Sequence, residues 1–363
     1  MKKIPIALIV SLLLCQCIHS QEKNTNKALF HPTDTNIQYI GRIEFSDSLH
    51  PAFTFPGVQV RTGFTGTSLD MMCKLHSGYF MAEIDGGEPF KVSFLGNTIS
   101  KLATNLPDGT HQAVVTFIGE GYENVPEFHG FFVDKGKTLA PATPLPTRKI
   151  EFIGNSITCG YGVEASSEAE HYSEKTANYY YSYAARTARN LNAQALVVAR
   201  SGIGVYRNYD GPKIGNPVNM NTEYPYTLLY NHDYEWDFSR YSPDVVCINL
   251  GTNDTSTQGA DSVLLLNGFK HLYKQVRSHY PTAKIVFLCG CMMNGAQLHS
   301  AQEALNATAT YAHAQGDSEV YRFDFTPADG SLGYGSDWHP SMLQQEQMSN
   351  ELTPYLKELM DWQ

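Results

Sequence analysis

The sequence predicts two domains: an N-terminal all-β jelly roll or sandwich, and a C-terminal α/β domain built on a parallel sheet. Three observations lead there. From about Ile37 to Val133, short β-forming runs are separated by Gly, Pro, Asn and Asp, with no convincing helical period. Residues 139–147 then read Leu-Ala-Pro-Ala-Thr-Pro-Leu-Pro-Thr, a composition that favours a stiff, extended connection. Beyond it, apolar strand-like runs alternate with helical stretches, as in a parallel sheet covered on both faces. The 363 residues are enough for two separate cores.

In chain order, Met1-Lys2-Lys3 is a short basic start and Ile4 to Ile18 is almost unbroken apolar sequence, too short for a comfortable membrane span. A polar stretch, Ser20 to Lys27, comes next. This is the layout of a secretory signal peptide over residues 1–20. Lipidation at Cys15 or Cys17 is the alternative, although the residues before each are a poor match to the small ones such sites prefer. The expectation is an exported protein: periplasmic, outer-membrane-associated as a lipoprotein, or secreted. Its only expected link to a membrane is that N-terminal anchor.

The β domain is expected over residues 36–138. Strand-like runs include 59–61, 78–85 and 111–117, and Asp85-Gly86-Gly87 and Pro107-Asp108-Gly109 are turn signals. The linker is expected at 139–149 and the α/β domain at 150–363. Its candidate strands are 150–153, 195–199, 245–250, 285–288 and 320–323. Helices are expected near 178–190 and 261–278, with a terminal helix over 342–359.

Composition excludes some functions. A formal charge of −10 with no basic run argues against nucleic acid. The 22 Tyr residues read most simply as β-sheet residues. Outside the leader lie Cys73, Cys159, Cys247, Cys289 and Cys291, an odd number that cannot all pair internally. Cys247 and Cys289 sit in apolar runs and read as small core residues. Cys289-Gly290-Cys291 has half of a metal-like spacing and no matching pair, so no metal site is expected.

Open α/β sheets hold ligands at the carboxyl ends of their strands. Past the first candidate strand comes Gly154-Asn155-Ser156, past the second Ser201-Gly202-Ile203-Gly204, and past the third Gly251-Thr252-Asn253-Asp254. Past the last comes Ser336-Asp337-Trp338-His339-Pro340. These parts suit acyl transfer. Ser156 needs a base to become a nucleophile, and His339 can serve. The backbone N–H groups of Ser156 and Gly202 and the Asn253 amide can form an oxyanion hole. Asp337 can orient the His and stabilise its charged form. Singly, each has a plainer reading: Ser156 as a turn or cap residue, Gly202 as a tight turn, Asn253 as a turn residue beside an Asp254 helix cap, and His339 as a loop residue. The combination of residue types, each at a strand end, is what favours chemistry.

Position 158 is Thr, so Ser156 is not in the Gly-x-Ser-x-Gly elbow of the α/β-hydrolases. Gly154-Asn155-Ser156 and Gly251-Thr252-Asn253-Asp254 instead resemble the SGNH (GDSL-like) hydrolase superfamily over residues 148–363. The segments 53–57, 64–69, 79–80 and 84–86 resemble the jelly-roll domain of carbohydrate esterase family 2, as do 157–162 and 337–341. The resemblance implies a three-layer SGNH fold with a flavodoxin-like parallel sheet. It implies a cofactor-free, metal-free acetyl xylan esterase-like enzyme acting on acetylated plant polysaccharide or oligosaccharide, often at a 6-hydroxyl. In that superfamily the Asp stands three residues before the His; here position 336 is Ser and Asp337 precedes His339 by two. An extended segment would keep both side chains on one side. The resemblance also allows a Ser–His dyad completed by a backbone carbonyl.

Trp338 and Tyr206 are candidate sugar platforms, and Cys159 is expected to pack rather than react. Two other readings stand beside the main one. One is another SGNH activity: lipase, thioesterase or sialate esterase. The other, of a different class, is a non-catalytic carbohydrate-binding protein with a decayed hydrolase domain, which the presence of Ser156, Gly202, Asn253 and His339 disfavours.

Overall fold

The computed structural model describes residues 26–363. The leader expected at residues 1–20, with Cys15 and Cys17, lies outside them. An all-β domain precedes a three-layer α/β domain, as the sequence predicts.

The β domain pairs two antiparallel sheets. One runs Lys27–Phe30, Phe128–Asp134, Leu69–Cys73, Ile99–Ala103 in spatial order. The other runs Leu139–Ala140, Gln59–Gly66, Gly109–Phe117, Tyr79–Ile84, Phe90–Ser93, with Gln38–Ile40 beside Gln59–Gly66. Alternate side chains of each sheet point inward. Phe64 and Val115 from one sheet meet Met71 and Phe131 from the other in a single buried cluster. The expected boundaries are too narrow at both ends. Lys27–Phe30 already pairs with Phe128–Asp134, and Leu139–Ala140, assigned to the linker, pairs with Gly63 and Phe64. The prolines at 141, 144 and 146 mark a connection, but the two residues before them still have free N–H and C=O groups for a sheet edge.

The α/β domain holds a five-stranded parallel sheet in the order Ala193–Ala199, Arg148–Gly154, Val245–Asn249, Lys284–Cys289, Val320–Asp324. Numbered in sequence, that is 2-1-3-4-5, the doubly wound order whose ligand crevice opens between the first and third strands. The central strands are continuous apolar runs because helices cover both faces. Val246 and Ile248 face the helices Ser262–His279 and Gly295–Ala314. Val245 and Cys247 face Tyr183–Asn190 and Met342–Leu359.

Helix starts are set by capping side chains: Ser182, Asp261 and Ser341 accept backbone N–H groups of the first turns they precede. Ser182 also breaks the stretch expected as one helix over 178–190. Tyr179–Tyr181 forms a separate 3₁₀ turn before the helix begins. The helix Gly295–Ala314 was not expected. Its buried face is made of Ala301, Ala304, Leu305, Thr308 and Ala312, small residues at helical spacing that carry little hydropathy signal.

The two domains are bonded across their seam. Arg42 of the β domain is fully buried, donates to the carbonyls of Tyr224 and Tyr226, and pairs with Glu151 at 3.3 Å. The rings of Phe55, Tyr224, Trp236 and Phe238 surround its guanidinium. Nearby, Thr54 Oγ1 accepts the Leu229 N–H at 2.8 Å.

Candidate active site

The first parallel strand ends in Gly154, where a Cβ would lie 2.1 Å from Thr158 Oγ1, so glycine alone lets the chain turn so tightly. Asn155 then accepts the Ile157 N–H at 3.1 Å and starts the short helix Ser156–Cys159. Gln345, on the terminal helix, donates to Ile157 O at 2.9 Å and accepts the Tyr183 N–H at 2.7 Å. Ser156 is thus held at a fixed point. It lines a cleft of about 560 Å³ with Gly202, Asn253 and His339.

His339 Nε2 lies 2.9 Å from Ser156 Oγ, and its Nδ1 lies 3.0 Å from the Ser336 carbonyl oxygen. A carbonyl can only accept, so Nδ1 carries the proton and Nε2 presents its lone pair to the serine hydroxyl. Burial of the imidazole pushes its pKa down to about 4. At neutral pH it is therefore unprotonated, the form a general base needs.

Asp337 does not orient His339, contrary to one sequence expectation. The segment is not extended. Asp337 and Trp338 both adopt left-handed backbone angles, with φ of 51° and 60°. Two such non-glycine residues in succession are strained, and they turn the carboxylate away from the imidazole. It accepts instead from Tyr161 Oη at 2.8 Å, His171 Nδ1 at 2.7 Å and Tyr172 N at 3.2 Å. These partners, His171 first, hold its pKa below the usual carboxylate value. Tyr161 in turn stacks on the His339 ring, with centroids 4.0 Å apart. The arrangement is a Ser–His pair completed by a backbone carbonyl, the dyad the resemblance also allowed. The loop is seated on Gly162, where a Cβ would strike Ser336 at 2.2 Å.

The oxyanion candidates converge on the same cleft. Gly202 has a φ of 78°, which a side chain would strain, and its N–H has no acceptor among the described residues. Asn253 Nδ2 donates one hydrogen to Ile203 O at 2.7 Å, leaving the second free for a ligand. Asp254 is not the helix cap its position suggests: it lies within the short helix Thr252–Thr255 and gathers the loop after the second strand. Its buried carboxylate accepts the N–H groups of Val205, Tyr206 and Arg207 at 2.9–3.0 Å. Its place next to Asn253 was the available signal.

Of the two aromatic candidates, Trp338 is 62% exposed at the cleft rim. Tyr206 is not in the cleft. It is buried in the core, with its hydroxyl oxygen accepting the Asp261 N–H at 2.9 Å. The cleft aromatic on that loop is Tyr209, three residues on and 63% exposed, whose N–H donates to Gly202 O at 2.8 Å. Its loop has no periodicity from which a side chain's direction could be read.

Thr252, Ser256, Thr257, Met292 and Gln297 complete the wall, and Asp337 is the one carboxylate in the lining. Cys159 is buried, and burial raises its thiol pKa well above the usual value, so it is not a nucleophile. Among the described residues all five cysteines are free and buried.

Residues 39–143 match the family model "Carbohydrate esterase 2 N-terminal", and residues 152–346 match "GDSL-like Lipase/Acylhydrolase family". The chain is 41% identical to the cellulase/esterase CelE of Acetivibrio thermocellus over 90% of its own length, and that match spans 40% of CelE. It is 27% identical to an acetylxylan esterase / glucomannan deacetylase of Cellvibrio japonicus, covering 99% of each chain. A family two carbohydrate esterase from Clostridium thermocellum, solved in complex with cellohexaose, superposes with a TM-score of 0.84 at 40% identity. That match covers 90% of this chain and 100% of the other. A serine hydroxyl and an imidazole within hydrogen-bonding distance, on this fold and with these relatives, fit a carboxylic ester hydrolase, and the chain belongs to carbohydrate esterase family 2 within the GDSL-like hydrolases.

Proposed function

We propose that this esterase removes O-acetyl groups from plant cell-wall polysaccharides of the xylan and glucomannan type, with the 6-hydroxyl as a preferred position. The observation that carries the reading is the 2.9 Å approach of His339 Nε2 to Ser156 Oγ inside a cleft lined by hydroxyls and aromatic rings. Trp338 and Tyr209 offer exposed aromatic faces on which pyranose rings can pack, flanked by Thr257 and Gln297 as hydrogen-bonding groups. Apart from Met292 the lining has no aliphatic side chain for a fatty acyl tail, which favours acetate over a lipid ester. The names of the Cellvibrio relatives support the same substrate class.

In this reading Ser156 Oγ attacks the acetyl carbonyl carbon while His339 Nε2 takes its proton. Negative charge collects on the former carbonyl oxygen, and the N–H groups of Ser156, Gly202 and Asn253 stabilise it. Collapse expels the sugar oxygen, which takes the proton from His339. Water, deprotonated by the same imidazole, then attacks the acetyl-enzyme, releasing acetate and free Ser156. The leader read at residues 1–20 supports export to the compartment where such polymers are met.

Acetate release from acetylated xylan, glucomannan and pectin, alongside hydrolysis of 4-nitrophenyl acetate, tests the proposal. Wild type should act on both substrate types, with xylan or glucomannan ahead of pectin, and Ser156→Ala on neither. Equal rates for wild type and Ser156→Ala would remove Ser156 from the chemistry.

A further inference from the structure

The turn that carries Gly202 is gripped from two sides, and one side belongs to the other domain. Asp254 gathers the N–H groups of residues 205–207 just beyond it. Glu120, of the β domain, takes the residue just before it: its carboxylate accepts the Ser201 N–H at 2.6 Å and also the Ser201 hydroxyl.

The backbone around Glu120 is itself fixed. Gly121 N–H donates to Thr54 O at 2.8 Å, and Ile118 O accepts the Tyr179 N–H at 3.1 Å, the latter across the domain seam. The Cys159 thiol, at the end of the nucleophile's helix, also borders the Glu120 carboxylate. Arg200, on the other side of Ser201, lies over the rings of Tyr122 and Tyr230 at 5.4 and 5.3 Å. One β-domain carboxylate therefore touches both the turn holding a candidate oxyanion donor and the helix holding the nucleophile.

We propose that Glu120 is a positioning residue of the esterase: by holding Ser201 it sets the direction of the Gly202 N–H, so the β domain completes the oxyanion hole. The inference rests on the serine-esterase reading above. The physical reason is local. A bond to the Ser201 N–H fixes one peptide plane, and the Gly202 N–H belongs to the next. A glycine at φ of 78° has few other restraints on that plane. A donor that must meet a charge developing in the transition state is useful only if aimed before the reaction starts. A displacement of about 1 Å costs on the order of 10²-fold in rate.

The test uses the full chain, 4-nitrophenyl acetate and a boronic acid, whose tetrahedral adduct with Ser156 places an oxygen in the oxyanion hole. Glu120→Ala should lower kcat by about 10²-fold with KM within about twofold, and raise the boronate inhibition constant by a similar factor. Glu120→Gln keeps an acceptor for the Ser201 N–H and should recover most of the loss. Ser201→Ala with Glu120→Ala should lose little more than Glu120→Ala alone, because both remove one contact. Unchanged kcat and boronate binding in folded Glu120→Ala would overturn the proposal. So would a loss that appears in KM alone, or one that tracks a lowered melting temperature and persists in Glu120→Gln. Ser156→Ala is run beside these: activity in that variant would mean that the esterase reading, rather than the role of Glu120, has failed.

Discussion

Tyr161 gives its hydroxyl hydrogen to the Asp337 carboxylate at 2.8 Å and lays its ring on the imidazole of His339. The Asp337 carboxylate makes no hydrogen bond to the imidazole and accepts from Tyr161, His171 and Tyr172 instead. Asp337→Ala should therefore lower kcat/KM on an aryl acetate by about tenfold at most, whereas a carboxylate bonded to the imidazole is worth about 10⁴. His339→Ala should cost at least about 10⁴-fold. Parallel kinetics of the two variants decide it; equal losses would restore Asp337 to direct contact with the base.

Burial of His339 should make the enzyme tolerant of acid. The base works only when unprotonated, and its protonated fraction grows as pH falls through its pKa. With that pKa pushed down to about 4, activity should hold well below the pH at which an ordinary histidine, near 6.5, would begin to protonate. The acid limb of the kcat/KM profile on 4-nitrophenyl acetate checks this, and a midpoint near the ordinary value would contradict it.

Asn253 holds Ile203 with one amide hydrogen and leaves the other for substrate. Asn253→Ala should reduce kcat by roughly 10²–10³-fold with little change in KM, as removal of a single oxyanion donor does elsewhere. A rise in KM at constant kcat would place Asn253 in ground-state binding instead.

Tyr206 and Tyr209 should separate cleanly. Tyr209→Ala is expected to raise KM several-fold for acetylated oligosaccharide and leave 4-nitrophenyl acetate hydrolysis unchanged. Tyr206→Phe removes the acceptor of the Asp261 N–H and should cost about 1 kcal/mol of stability, read in thermal unfolding, with KM unaffected.

The meeting of Ser156, Gly202, Asn253 and His339 in one cleft was legible because parallel strands announce themselves as apolar runs, and the loops leaving those runs gather on one edge of the sheet. That rule places residues near the site; it does not aim their side chains. Asp337 was misassigned because nothing in Ser-Asp-Trp-His signals two left-handed residues in a row. Tyr206 was named and Tyr209 passed over because a loop without period gives no inward or outward phase. Glu120 was invisible for another reason: its partner Ser201 lies in the other domain, 81 positions away, and no local pattern encodes such a contact. The helix Gly295–Ala314 escaped notice because alanines pack a helix face closely without raising its hydropathy.

Arg42 carries the last consequence. A cation with no solvent exposure, its hydrogen bonds spent on the carbonyls of Tyr224 and Tyr226, fastens the halves as a rivet does two plates. The proline-rich stretch between them is therefore a strut and not a hinge. An engineer who wished to give this catalyst a new sugar-gripping front end could not cut at the prolines and splice. The replacement would have to arrive with its own arginine, and with a ring in place of Phe55, and fit against Tyr224, Trp236 and Phe238, or the hydrolase half would be left with an acid, Glu151, sealed in its interior without a counterion.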